Sequence, residues 1–307
     1  MTLFLLRRLL SGALTLWVLM TLTFFLLRAA PGGPLDRERS LPPQIEAAIA
    51  AQFHLDETLP QQYARYVGQV LQGDLGPSFQ YVGFRVTELI ASGLPASALL
   101  GGSALLIALP LGTWLGFYAS RHSGSALDRG LMAGSLLGIS VPNFVVAPLL
   151  VLLFAVTLGW LPAGGWERGQ WRDVVMPVIA LALPQIAYVA RLARTGMAEV
   201  LEAPFIRAAR AKGLPPSVVL WRHAMKPALL PVLSYLGPAA AGLITGSVVI
   251  EQIFSIPGIG RYFIQGALNR DYTVVLGVVL LYGALIVLFN LIVDVLYGVL
   301  DPRVRYQ

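Results

Sequence analysis

The sequence predicts an all-α membrane protein with six transmembrane helices, a small helical cap outside the membrane and a short helix on the cytoplasmic side. Three observations carry that prediction. Charged residues make up 12% of the 307-residue chain and hydrophobic residues 56%. Six apolar stretches are long enough to cross a bilayer, and Lys and Arg gather in alternate connecting segments. A soluble domain carries about 25% charged residues. With half that share, a soluble fold would expose large apolar patches, so lipid is the expected solvent.

A spanning helix needs about 20 mostly apolar residues. The stretches lie at about 9–29, 97–119, 131–158, 174–193, 228–250 and 273–297. The third is longer than one straight crossing and contains Pro142 and Pro148, which demands tilt or a kink. Pro110, Pro177, Pro184, Pro231 and Pro238 interrupt others, and bends there either line a cavity or serve packing. In the first stretch Arg7 and Arg8 precede the apolar run Leu9–Leu27. That run is longer than the roughly 7–15-residue core of a secretory signal, so a retained first helix is expected. Gly112 with Gly116, Gly134 with Gly138, and Gly242 with Gly246 repeat at a spacing that lets helix backbones approach closely. They are assigned to packing.

Orientation follows from the basic residues. With a cytoplasmic N-terminus, the short inner segments hold Arg7, Arg8, Arg121, Arg129, Arg303 and Arg305. The 191–228 segment adds Arg191, Arg194, Arg207, Arg210, Lys212, Arg222 and Lys226. The short outer loops hold only Arg168, Arg172, Arg261 and Arg270. Both termini are therefore expected in the cytoplasm. The same bias accounts for the net charge of +6 without any nucleic-acid partner. Outside the bilayer, residues 30–96 read as a cap of short amphipathic helices, such as Gln44 to Phe53 and Leu59 to Leu71. Residues 251–272 form a second outer loop with turn signals at Pro257, Gly258 and Gly260.

Much chemistry is excluded. The chain has no cysteine, hence no disulfide, thiolate metal site or cysteine nucleophile. His54, His122 and His223 are widely separated, and no metal role is expected. The two lysines, Lys212 and Lys226, do not follow glycine, so no phosphate-binding loop can form. No serine-nucleophile elbow or zinc-protease helix signature occurs, so no catalytic residue, cofactor or metal is assigned to this chain. Glu251 and Arg28 lie near outer ends of spans. Asp294, toward the inner end of the last span, is expected to pair with a nearby basic group.

The 195–227 segment holds the strongest signal. Pro204 suits a first helical turn, with Glu199 and Glu202 upstream. Ala208, Ala209 and Ala211 favour helix, and Arg207, Arg210 and Lys212 gather toward its C-terminal end. Gly213 stands where a left-handed cap residue is wanted, Leu214 supplies the accompanying apolar contact and Pro215 stops the helix. Two to three turns are marginal alone in water, so the helix needs a dock. By spacing, Phe205, Ala209 and Lys212 share a face as a knob flanked by positive charge; the plainer alternative is a connector resting on lipid headgroups.

Arg207-Ala208-Ala209, followed by Gly213, resembles the EAA loop of binding-protein-dependent ABC importers, with arginine in place of the glutamate. The usual downstream Ile-x-Leu-Pro element is replaced by His223 to Lys226. Ala209 to Leu214, Arg222 to Ala224 and Leu229 to Pro231 resemble the version found in the peptide-transporting branch. Further resemblances are Ala30 to Pro34, Gly73 to Ser78, Trp160 to Pro162, Pro257 to Gly260, Asn269 to Tyr272 and Asp301 to Arg303. Over nearly its whole length the chain resembles the oligopeptide/dipeptide permease family, and most of all its B-type oligopeptide subunits.

The resemblance implies a multi-pass permease of a bacterial cytoplasmic (inner) membrane. Residues 1–29 would form the N-terminus and first span, 30–96 the cap, and 97–307 a five-helix core with its coupling loop at about 195–227. Pro204, Phe205, Arg207, Ala208, Ala209, Arg210, Lys212, Gly213 and Leu214 would meet an ATPase subunit. Expected partners are a second homologous permease, two ATP-binding subunits that hold ATP and Mg, an extracytoplasmic peptide-binding protein and membrane lipid. The cap and the 251–272 loop are the expected places for binding-protein contact and outer gating. Dipeptides, glutathione or nickel chelates are alternative cargoes. An ATP-independent secondary transporter is the alternative from a different class.

Overall fold

The computed structural model describes residues 2–30, 44, 50–51, 53–167, 170–244 and 248–300. The motifs at 31–34 and 301–303, Arg168, Gly246, Arg303, Arg305 and most of the 44–53 piece lie outside the described residues. Within them the chain is helical, with one isolated antiparallel bridge between Pro77 and Arg85. Five helices are long and apolar enough to cross a membrane, or six if one bent pair counts as a single span.

Helix α1 (Thr2–Ala29) lies along the last helix of the chain, Tyr272–Leu300. The Arg8 guanidinium meets Asp294 at 2.8 Å, which supplies the basic partner expected for that carboxylate. Gly12 lets the two helices close up, since a Cβ there would lie 2.6 Å from Val287 Cγ1. At the other end of α1, Phe24 is fully buried with Met20 and Leu276. The cap helix α2 (Leu59–Leu71) joins them: Tyr63 and Tyr66 pack their rings on Phe24, and the Tyr63 hydroxyl meets that of Thr21 at 2.6 Å. Gln61 Oε1 accepts the Thr58 N–H at 3.1 Å and fixes where α2 begins. Glu57 pairs with Arg65, and that hydrogen bond holds its carboxyl below the usual range.

Helix α3 runs from Val86 to Arg121, so it starts well before the apolar stretch expected from 97 and takes in the end of the 30–96 segment. It packs closely on α6 (Trp171–Leu201). At Gly116 a Cβ would overlap the Ala190 carbonyl and come within 2.7 Å of Ala193 Cβ. At Gly112 it would lie 2.7 Å from Val189 Cβ. Of the three expected glycine pairs only this one is tight on both members. A Cβ added at Gly134 or Gly242 would meet nothing within 4 Å, and one at Gly138 would come no closer than 3.2 Å, to Ala187 Cβ.

The third apolar stretch is not one tilted helix. Helix α4 (Ala126–Ser140) and helix α5 (Asn143–Leu150, continued as the π-helical turns Val151–Thr157) are bent by 96° at the 141–142 link. Pro142 disfavours helical geometry at the preceding residue, and Val141 is extended at φ −82° and ψ 118°. Beyond α6 come α7 (Pro204–Ala211), a broken helical run α8 over 216–228 with π turns at Val219–Ala224, α9 (Leu230–Ile244) and α10 (Val248–Ile253). The expected outer loop at 251–272 contains α11 (Ile259–Leu268), and α12 is Tyr272–Leu300.

Candidate functional site

Helix α7 sits at the end of α6 and is held from beneath by an apolar seat. Ile206 is fully buried and Ala209 is 4% exposed, packed with Met197, Val219, Ala224 and Ala228. Pro204 occupies the first turn, where its missing N–H leaves no vacancy in the hydrogen-bond ladder. The far end closes with a complete reversal. Gly213 N–H donates to Arg210 O at 2.9 Å and Leu214 N–H reaches back to Ala209 O at 3.4 Å. Gly213 has φ +72°, the left-handed conformation that such an ending requires. Leu214 then tucks its side chain against the same seat as Ala209.

This seat sorts the nine residues expected at the site. Ala209 and Leu214 face inward, and the expected shared face of Phe205, Ala209 and Lys212 is split. Outward stand Phe205, Ala208 and Lys212, related by three- and four-residue steps, with Arg207 and Arg210 beside them. Pro204 and Gly213 shape the two ends. Phe205 keeps 46% of its surface exposed, an unusual state for a phenylalanine next to an apolar core. Among the described residues none of Arg207, Arg210 and Lys212 forms an ion pair. A cup of about 410 Å³ beside α7 is lined by Arg210 together with Arg121, Ser217 and Trp221. The surface therefore offers one aromatic knob amid unpaired cations, on a helix that is short but firmly seated.

Two features of this end escaped the sequence reading. Ile206 is the anchor of α7, although its three-residue spacing from Ala209 was visible. Asp128, 3% exposed, accepts from Arg194 Nε at 3.2 Å and from Arg194 Nη2 at 2.8 Å, and also from Gly124 N–H at 3.0 Å. This paired contact ties the start of α4 to α6 about two turns before α6 ends at Leu201 and the chain leads into α7. Nothing in local pattern links two residues 66 apart.

Comparison with known proteins shows the family to which the chain belongs. Residues 108–306 match the family described as binding-protein-dependent transport system inner membrane component, and residues 1–83 match the N-terminal part of such membrane components. The oligopeptide transport system permease protein OppB of Salmonella typhimurium is 51% identical over 99% of this chain and 99% of its own. The OppB of Escherichia coli K12 gives the same figures, and the dipeptide transport system permease protein DppB of Bacillus subtilis is 39% identical over 98% of this chain and 97% of its own. Among solved structures, an amino acid ABC transporter aligns with a TM-score of 0.54 at 20% identity, over 68% of this chain and 93% of that one. The MetNI methionine ABC transporter aligns at 0.52 and 19%, over 70% and 97%. At those identities the structures speak for the fold alone. The chain belongs to the family of binding-protein-dependent transport system inner membrane components, and is a multi-pass membrane protein of that family.

Proposed function

We propose that this chain is one of two membrane-spanning subunits of an ATP-driven importer of oligopeptides. The observation that carries the cargo assignment is 51% identity with oligopeptide permeases along 99% of both chains, against 39% with a dipeptide permease. The chain supplies the path and no ATPase site, since neither lysine follows a glycine. Two separate ATP-binding subunits hold ATP and Mg, and an extracytoplasmic binding protein delivers peptide at the cap end. Both termini and α7 lie in the cytoplasm. Phe205 of α7 inserts into a groove of one ATPase, with Arg207, Arg210 and Lys212 meeting acidic groups around it. Closure of the ATPases on ATP then moves α7, and with it α6 and, by way of α8, the span Leu230–Ile253, because Ile206 and Ala209 pack on Met197 of α6 and on Val219, Ala224 and Ala228 of α8. Such coupling requires different contacts in the two states, and the inserted helix provides them.

The test is purification of the tagged chain from its native membrane in mild detergent, followed by reconstitution with whatever accompanies it. A second permease and two ATPases are expected to co-purify, and the vesicles to take up peptides only with ATP and binding protein. Longer peptides should compete better than dipeptides. Recovery of the chain alone, with uptake driven by a proton gradient, would point to a secondary transporter instead.

A further inference from the structure

We propose that helix α11 is the outer gate of this permease and that Glu251, in the last turn of the span Leu230–Ile253, is the residue that positions it. The proposal rests on the permease reading and on the outward orientation of the cap end.

Glu251 is 2% exposed at the end of an apolar span, and among the described residues no basic side chain forms an ion pair with it. Its carboxylate instead joins three segments. Oε1 accepts the Ser97 hydroxyl of α3 at 2.6 Å, and Oε2 accepts the N–H of Gly260, at the start of α11, at 2.9 Å. Ser97 Oγ in turn accepts the N–H of Ile259 at 2.9 Å. The Pro257-Gly258-Ile259-Gly260 run is shaped for this. A Cβ on Gly258 would overlap the Glu251 carboxyl, and one on Gly260 would lie 2.8 Å from Oε2. Gly93 of α3 allows the same loop to approach by backbone, since a Cβ there would lie 3.0 Å from the Gly258 carbonyl carbon.

The other end of α11 has a matching clasp. Asp271 is fully buried and accepts the Ser78 hydroxyl at 2.5 Å and the Gln80 N–H at 3.0 Å. It also accepts the Val274 N–H at 3.2 Å, which ties it to the first turn of α12. Along the flank of α11, the hydroxyls of Tyr262 and Ser92 meet at 2.9 Å, and Tyr81 donates to Gln265. The helix is thus pinned to α3 on one side and to the cap segment on the other by hydrogen bonds, where most of the surrounding contacts are apolar. Hydrogen bonds to a carboxylate can be exchanged for bonds to water when a site opens, so they give a joint direction without making it permanent. Glu251 also sits on the span that begins directly beyond α7 and α8. Movement imposed on α7 therefore arrives at this carboxylate, and from it at α11.

The test uses the complete complex with its binding protein in vesicles. Because this chain has no cysteine, Tyr81→Cys and Gln265→Cys can be joined by a reducible two-headed thiol reagent in an otherwise cysteine-free complex. Joining α11 to the cap should lower uptake at least about tenfold, with ATP hydrolysis continuing and uptake restored by reductant. Uncoupled hydrolysis is the second readout. Glu251→Gln should lower peptide imported per ATP by about tenfold, the scale of one lost hydrogen bond to a charged group. Should that variant fail to accumulate, Ser97→Ala reads the same ratio, and Ser97→Thr, which keeps the hydroxyl, should restore it. A joined complex that imports at the unjoined rate, or Glu251→Gln and Ser97→Ala with unchanged peptide per ATP, overturns the gate. An unmodified complex that imports nothing would instead overturn the permease reading itself.

Discussion

At Gly213 the backbone φ of +72° and the two reversed hydrogen bonds leave one residue type comfortable. Nothing lies within 4 Å of a Cβ built there, so the cost of replacement is purely conformational. A β-branched residue in the left-handed region costs about 1–2 kcal/mol, enough to misplace the end of α7 without unfolding the spans. Gly213→Val is therefore expected to insert at normal abundance while importing several-fold less peptide per ATP, measured in vesicles. Normal import would remove α7 from the coupling path. This residue was legible in the sequence because capping is local: glycine, leucine and proline in succession state the ending by themselves. The orientation of Ala209 was not, because it depends on Val219, Ala224 and Ala228, which arrive from α8 after an intervening turn. Phe205 was expected on one face with Ala209, and it lies exposed on the outward side, since among the described residues a short helix seated on Ile206 has no second neighbour to cover it.

Among elements, the packing of α3 on α6 depends on absent side chains. Gly116→Ala would push a methyl into the Ala190 carbonyl, and such overpacking costs about 1–3 kcal/mol. Gly134→Ala meets nothing within 4 Å and replaces a flexible residue inside a helix, so it should be neutral or stabilising by up to about 1 kcal/mol. Thermal unfolding of the purified complex separates the two, and equal midpoints would show that the helices are held apart by something other than backbone contact. The sequence offered the same four-residue spacing at both places and had no means to tell them apart. Spacing says that two helices can approach, whereas the choice of partner is a property of the bundle. The 96° break between α4 and α5 was half legible for a similar reason. Pro142 and the excess length announced a discontinuity, but hydropathy carries no direction, so a kink and a right-angled turn read alike.

For the whole molecule, the six apolar stretches were enough to foresee an all-helical membrane protein, seen as five spanning helices or six if the bent pair counts as one, because lipid imposes one simple rule on every residue it touches. The placing of the outer helices was harder to see, since α2 is defined by its rings on Phe24 and α11 by hydrogen bonds that reach it from other segments. The orientation is open to direct measurement on this cysteine-free chain. Leu71→Cys, on the strongly exposed end of α2, should react with an impermeant maleimide in intact cells, and His122→Cys, between α3 and α4, only after the membrane is opened. The reverse pattern would place the cap in the cytoplasm and remove the binding protein from it. The backbone contact at Gly112 and Gly116 has a mechanical side as well. Two helices separated by side chains behave like rods in grease, which slide and absorb strain as rotamers shift. Where carbonyl meets Cα with nothing between, α3 and α6 form a single beam with little give. On the proposed coupling, a stroke delivered near α7 would be reproduced toward the other end of α3, where Ser97 meets Glu251, rather than dissipated along the way.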